Sequence, residues 1–453
     1  MKQIDFSNGR VASNVLHSSL PMLMAQVLSL LYSIVDRFFI GMIPGESSAA
    51  LAGIGLCFPV IIIVTAFTNL FGLGGAPLCS IYRGMGDKKK ADNVMNTAFF
   101  MLIAASAVLF AVGEISARPM LFAFGASAET IKYALPYLRV YLLGTVCSMI
   151  SAGMNPYINA QGYARTGMFT VMVGSAANLI LDPVFIFAFG MGVTGAAIAT
   201  IISQTLSALF VIRFLVSSKV ELRLRLMRPG EFRQHAQLAK NIAGLGLTSF
   251  IMQVTNSLVS IVCNHMLFGL GGDLFVTVMT VVSSVRQILE TPVLAVGEGS
   301  SPVMSFNYGA RRPALVRKTI FIMTAMMLAY TLLIWGLIEL EPGMFIRIFS
   351  RDSETLKAGV PALHLYFFAF IFQGLQVSAQ TTFKALNMKK RAIFFSLFRK
   401  VVLVVPLTIL LPHYFGLGIS GVFIAEPLSN FIGGSASFIT MLVTVMPELR
   451  RTA

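Results

Sequence analysis

Five carboxylic acids stand inside long apolar runs of this 453-residue chain: Asp36, Asp182, Glu290, Glu298 and Glu426. A charge at the centre of hydrocarbon costs about 2.5–3.5 kcal/mol on insertion scales, so each retained acid calls for a partner or a task. Asp182 lies deep in its run, with Asn178 four residues earlier on the same helical face. Pro183 follows it, and a proline within a span frees backbone carbonyls as further oxygen ligands. A carboxylate, an amide oxygen, freed carbonyls and Thr200 on the next helix suit either a hard cation or a titrating proton. Asp36 lies toward the end of its run beside Arg37, where an interfacial ion pair accounts for it about as well as an ion-handling role. Arg286 and Glu290 are spaced i,i+4 and most simply neutralise one another. Glu298 sits among small residues, and Glu426 sits one residue past the repeat position of Ala199, putting an acid where the first half has Thr200.

Other chemistries lack their signatures. No GxxxxGK[ST] loop occurs, and GYARTGMF has spaced glycines without the lysine. The five histidines are solitary with no HExxH, so neither an ATP-driven pump nor a metalloprotease is expected, and no enzyme activity or cofactor. Cys57, Cys79, Cys147 and Cys263 lie in apolar segments without CxxC spacing, as packing residues do. The 25 Met and 37 Phe suit a pliable cavity for aromatic cations, because thioethers repack and rings attract positive charge. Met154 and Asn155, beside a glycine and a proline, are candidate substrate contacts, together with Gln253, Glu290, Glu298 and Gln376.

The elements that must hold these residues follow from bulk composition. The chain is 56% hydrophobic and 12% charged, against roughly 25% charged in soluble domains. Apolar runs long enough to cross hydrocarbon recur near 15–40, 52–82, 94–114, 134–161, 168–190, 193–217, 241–267, 274–308, 317–338, 358–384, 392–413 and 419–446. The fold class expected is therefore an all-α integral membrane protein of about twelve transmembrane helices. The N-terminal fourteen residues are polar and the next run exceeds a signal-peptide core, so the first helix is expected to stay in the mature chain. Net charge is +15, and 26 of the 34 basic residues fall in segments on the side of the termini when Lys384 to Lys400 are counted as loop cations. The positive-inside rule then predicts cytoplasmic termini in a cell inner (plasma) membrane, with the basic charge reporting orientation and lipid rather than nucleic acid.

Shifting the sequence by 225 residues aligns FGLGGAPLCSIYRG (71–84) with VGEGSSPVMSFNYG (296–309), and AETIKYALPYLRVY (128–141) with SETLKAGVPALHLY (353–366). One residue more puts GMGVTG (190–195) on GLGISG (416–421). The chain thus reads as two pseudo-symmetric six-helix bundles, residues 1–218 and 241–453, joined by a basic amphipathic cytoplasmic linker at 219–240. Neither Asp36 nor Asp182 has an acidic counterpart, since the repeat positions are Ile261 and Thr408. Ion coupling is accordingly expected in the first half.

YSIVDRFFIG (32–41), the GLGGAP to GMGDKKKA block (72–91), NAQGYARTGMF (159–169), NLILDPVFIFAFGMGVTGAAIAT (178–200) and SFNYGARR (305–312) resemble the multidrug and toxic compound extrusion (MATE) family. The resemblance runs through nearly the whole chain and is closest to the bacterial branch of DinF-type and MepA-type exporters. It implies two six-helix lobes exchanging a lipophilic cation for H+ or Na+ by alternating access, in a monomer. It also implies an ion site at Asp36, Asn178, Asp182 and Thr200, metal-ligating if Na+ is the ion, with a tyrosine placed at Tyr137 in preference to Tyr141. The rival is a lipid-linked saccharide flippase, which would line its path with several cations for phosphate; by sequence only Arg286 qualifies.

The topology makes a direct prediction. Single cysteines replacing Lys88 and Lys318 should react with an impermeant thiol reagent from the cytoplasmic side, and those replacing Lys132 and Lys357 from the other; Lys88 and Lys318 labelling from opposite sides would overturn the twelve-span reading.

Overall fold

The computed structural model describes residues 3–43, 47–218, 220–225, 235–350 and 352–451. The described residues are almost entirely helical, as a chain in hydrocarbon requires, because a helix satisfies its own N–H and C=O groups where no water can. The first half comprises α1 (Val11–Gly41), the short α2 (Ser47–Gly55), α3 (Phe58–Gly84), α4 (Lys88–Ala123), α5 (Ile131–Leu143), α6 (Thr145–Ala160), α7 (Ala164–Pro183) and α8 (Gly192–Val216). The second comprises α9 (Ala236–Gly309), α10 (Pro313–Leu340), the short α11 (Pro342–Arg347), α12 (Ser353–Phe367), α13 (Phe370–Ala385), α14 (Lys389–Leu397), α15 (Val405–His413) and α16 (Gly418–Arg451).

Nine helical stretches of the described residues are long and apolar enough to cross a membrane, and two bent pairs, α5 with α6 and α12 with α13, bring the count to 11. The 74 residues of α9 would reach ~110 Å if straight, several times a ~30 Å hydrocarbon core. Gly272 breaks it at φ 68°, a conformation open to glycine, so α9 supplies two spans and the total is twelve, six per half. Large apolar side chains point outward, such as Ile115 and Phe321 at 84% and 72% exposure, where lipid replaces water as the favourable surroundings.

The internal repeat extends to backbone detail. The left-handed residues pair at the sequence offset: Gly86 (φ 77°) with Arg311 (54°), Gly162 (87°) with Asn387 (60°), Gly190 (64°) with Gly416 (66°), and Gly192 (54°) with Gly418 (52°). Ser80 and Ser305 donate equivalent hydrogen bonds, to the carbonyls of Ala160 and Ala385. Bends of 56° and 44° fall in corresponding helix pairs.

Two compact units result: residues 5–23 with 251–453, and residues 1–4 with 24–250. The first turns of α1 thus belong with the second unit, and the first turns of α9 with the first. The latter attachment has a visible cause in Gly74 and Gly246, which let α3 and α9 pack backbone to backbone. A Cβ on Gly246 would run into the Leu70 carbonyl oxygen, and one on Gly74 into that of Ile242.

Within the 219–240 segment, residues 220–225 lie extended on the end of the first unit, with Val220, Leu222 and Leu224 buried and Glu221, Arg223 and Arg225 exposed. Their backbone N–H groups are taken up by side chains: Leu222 donates to Gln161 Oε1 at 3.0 Å, Arg223 to Asp92 Oδ1 at 3.0 Å, and Arg225 to Asn96 Oδ1 at 2.6 Å. These polar partners lie far away in sequence, so helical periodicity alone could not register them. The remainder of the proposed linker, 226–234, lies outside the described residues, and α9 has begun by Ala236.

A valine at position 246 should cost about 1–3 kcal/mol or more through overpacking. Thermal unfolding in detergent should show it, and an unchanged midpoint for Gly246→Val would refute the close approach.

Candidate functional site: a carboxyl pair beside a cavity

The first unit gathers the acids that the sequence separated. Asp182 is fully buried at the end of α7 and accepts from Asn178 Nδ2 at 3.1 Å. The same nitrogen lies 3.5 Å from Thr200 Oγ1 on α8. Asp36 of α1 and Asp182 lie within hydrogen-bonding reach of one another. Tyr137 of α5 is buried within electrostatic reach of Asp36, and its ring stacks on Tyr141 at 6.5 Å between centroids. Tyr137, the tyrosine preferred from the resemblance, is the one within reach of Asp36. Asp36, Tyr137, Asn178, Asp182 and Thr200 form one cluster.

Local sequence explains the placement. Pro183 has no N–H to give the carbonyl one turn back, and the helix widens immediately after it into a π-helical turn, Val184–Ala188. Beyond Asn178 and Thr200 opens a cavity of about 130 Å³, lined by Ser29 and Tyr32 of α1, Ser151 of α6, Asn178 of α7, and Thr200 and Gln204 of α8. Its lining is mostly small and hydroxylated, suited to water and a small cationic group.

The proposed substrate contacts are dispersed. Met154 is fully buried in the apolar core of the first unit. Asn155 is spent on helix packing, donating to the Gly167 carbonyl at 2.8 Å and to Thr170. Neither lines the cavity. Gln253, on the stretch of α9 assigned to the second unit, is half-buried, while Gln376 of α13 is buried with an amide oxygen that accepts no hydrogen bond. Glu298 lies in the electrostatic field of Lys384.

Glu290 belongs to a larger network that sequence reading saw only in part. Arg286 Nε meets Glu290 Oε2 at 3.2 Å as the spacing implied, but its Nη2 also meets Glu426 Oε1 at 2.9 Å and its Nη1 donates to Tyr366 at 2.8 Å. Arg399 Nη1 and Lys400 Nζ reach the same Glu426 oxygen at 2.9 and 2.8 Å. Gln373 donates to Glu290, and Arg399 to Asn430 Oδ1. Arg399 and Lys400, counted above as loop cations, are 2% exposed within a membrane-spanning helix. They occupy a second π-helical segment, Phe398–Val404, whose widened turn narrows the angle between successive side chains and lets neighbours aim at one acid. The available signal was their flanks: FFSLF before them and VVLVV after them are not loop sequence.

Comparison with known proteins follows the same outline. The MatE family model matches residues 21–184 and 249–410. The multidrug export protein MepA of Staphylococcus aureus strain MSSA476 is 26% identical over 384 residues, covering 83% of each chain. MepA of Staphylococcus haemolyticus strain JCSC1435 is 24% identical over 389 residues, again covering 83% of each. Among solved structures, one described as an outward-facing conformation of a multidrug resistance MATE family transporter of the MOP superfamily superposes with a TM-score of 0.91 at 23% identity, covering 99% of both chains. A MATE in the straight conformation gives 0.91 at 22% identity, covering 100% of this chain and 99% of that one.

Glu426 and Asn430 lie beyond the matched segments, so the weight of their network must be read from the chain itself. Removing the carboxylate from Glu426 leaves buried Arg399 and Lys400 without a counter-ion, while Arg286 keeps Glu290, and breaking a buried pair costs about 3–5 kcal/mol. Glu426→Gln should lower the unfolding temperature more than Glu290→Gln, which leaves Arg286 bonded to Glu426 and Tyr366; the reverse order would show that Glu290 anchors the network.

Proposed function

The chain belongs to the MatE family, and on that premise we propose that it is a secondary-active multidrug efflux transporter of the cell membrane, exporting lipophilic cationic compounds in exchange for a proton by alternating access. It is a carrier of small molecules and not an enzyme. The observation that supports coupling here is the Asp36–Asp182 pair beside the cavity, steadied by Asn178. Two carboxyls in contact can hold one proton between them, and releasing it exposes a negative site that welcomes a cation. Proton and organic cation then exclude one another, which is the condition for exchange.

Na+ is the other ion the cluster could take, at Asp36, Asn178, Asp182 and Thr200. Two carboxyls within hydrogen-bonding reach of one another call for a shared proton, and that favours the proton. We place both termini in the cytoplasm on the charge asymmetry, and take the working unit to be a monomer in lipid.

The flippase reading required free cations along the path. Arg286, Arg399 and Lys400 give three buried cations where sequence gave one, yet each already donates to a carboxylate, leaving Glu426 rather than phosphate as their counter-ion.

Exchange of one proton for one monovalent cation moves no net charge, so the pH difference drives it, and one pH unit, about 1.4 kcal/mol, supports a roughly tenfold substrate gradient. Asp182→Asn keeps the shape and removes the exchangeable proton, so it should abolish proton-driven ethidium export, read as uptake into everted vesicles, while insertion is unchanged. Asp36→Asn should do the same. Efflux by Asp182→Asn at the wild-type rate would refute coupling at this pair, and efflux driven by a sodium gradient alone would replace the proton with Na+.

A further inference from the structure

The charge count of the second-half network does not balance. Among the described residues it joins three cations, Arg286, Arg399 and Lys400, to two carboxylates, Glu290 and Glu426. One positive charge is left over in a low-dielectric interior, where an uncompensated ion is costly. All three cations crowd onto Oε1 of Glu426, while its Oε2, equally buried, accepts no hydrogen bond. An external anion is a poor remedy, because the side chains of Arg399, Lys400 and Glu426 are only 3%, 2% and 5% exposed. A proton needs no such opening. Of the three cations only the lysine can lose one, since guanidinium stays charged in proteins whereas a buried ammonium releases its proton readily.

We propose that Lys400 is a second proton-exchange group of the transporter, releasing its proton when a cationic substrate engages Glu290. The proposal rests on the proton-coupled export put forward above and adds a site in the other half of the chain. Its geometry is a relay of contacts. Glu290 and Arg286 are the accessible end of the network, at 20% and 18% side-chain exposure. An organic cation that pairs with Glu290 displaces Arg286 from it, and Arg286 remains held by Glu426 and Tyr366. Glu426 is then shared among cations that have lost part of their counter-charge. Lys400 answers by breaking one N–H bond, passing from ammonium to amine, and the proton leaves to solvent. The network falls from three positive charges to two, so that with the bound organic cation its total charge is unchanged. The charged and titratable groups around Lys400 are Arg399 on its own element, Arg286, Glu290 and Cys263 from α9, Tyr366 from α12 and Glu426 from α16. Of these, Glu426 alone contacts the Lys400 ammonium as an anion.

The test is proton release from purified, detergent-solubilised protein in weakly buffered solution near pH 7, titrated with ethidium and read by a pH indicator, with ethidium fluorescence reporting binding. Wild type should release protons on binding. Lys400→Met and Lys400→Arg should both bind ethidium but release fewer protons per ligand, because one has no proton to give and the other will not give it. Asp182→Asn should keep the Lys400 share. Lys400→Met should also fold with a melting temperature close to wild type, since removing that charge restores balance. Release from both lysine variants equal to wild type would overturn the proposal, as would a Lys400→Met protein that fails to fold while Lys400→Arg folds, which would show that the network needs a permanent cation there. Absence of release from wild type itself would sink proton coupling altogether, an outcome distinct from a failure confined to Lys400.

Discussion

The cost of carrying charge into hydrocarbon governs everything else in this chain. It forces the backbone into helices and leaves each intramembrane acid in need of company. The two halves meet that need in opposite ways. In the first, Asp182 is paired with another acid, Asp36, and braced by the neutral groups Asn178 and Thr200. In the second, one oxygen of Glu426 is met by three cations drawn from α9 and the π-helical turn after α14. The first site brings two acids together, and the second has more cations than its carboxylates match.

This opposition is laid over a common backbone. Left-handed residues, helix bends and the Ser80 and Ser305 hydrogen bonds recur at the repeat offset, so the two halves share their turns and their close helix contacts. What diverged is the side chains at the centres of the spans. Where the first half has Asp182, the second has Thr408, fully buried and donating its hydroxyl to the Val404 carbonyl within its own helix. A hydroxyl satisfied by its own turn carries no charge and asks for no ion. Backbone geometry is constrained by packing at every turn, whereas a polar position can change freely once its partners change with it.

The π-helical segments tie sequence to chemistry in both halves. Val184–Ala188 follows Pro183 and closes the helix that carries Asp182, and Phe398–Val404 turns Arg399 and Lys400 together toward Glu426. Each spoils regular hydrogen bonding over one turn in exchange for an orientation that an α-helix does not offer. Only the first has a proline to announce it.

The sequence alone determined the membrane class, the twelve spans, the two-fold repeat and the candidacy of Asp36, Asn178, Asp182 and Thr200, because hydropathy, charge asymmetry and the cost of an intramembrane acid all act locally along the chain. It also determined the Arg286–Glu290 contact, a matter of one helical turn. Only the tertiary structure decided that Met154 and Asn155 are packing residues, and that residues 220–225 lie extended on the end of the first unit. It alone moved Arg399 and Lys400 from the loop to the buried side of Glu426, 27 and 26 residues away. The physical reason is the same in each case: the partner that satisfies the group comes from another helix, and no periodicity within one helix records which neighbour it will meet.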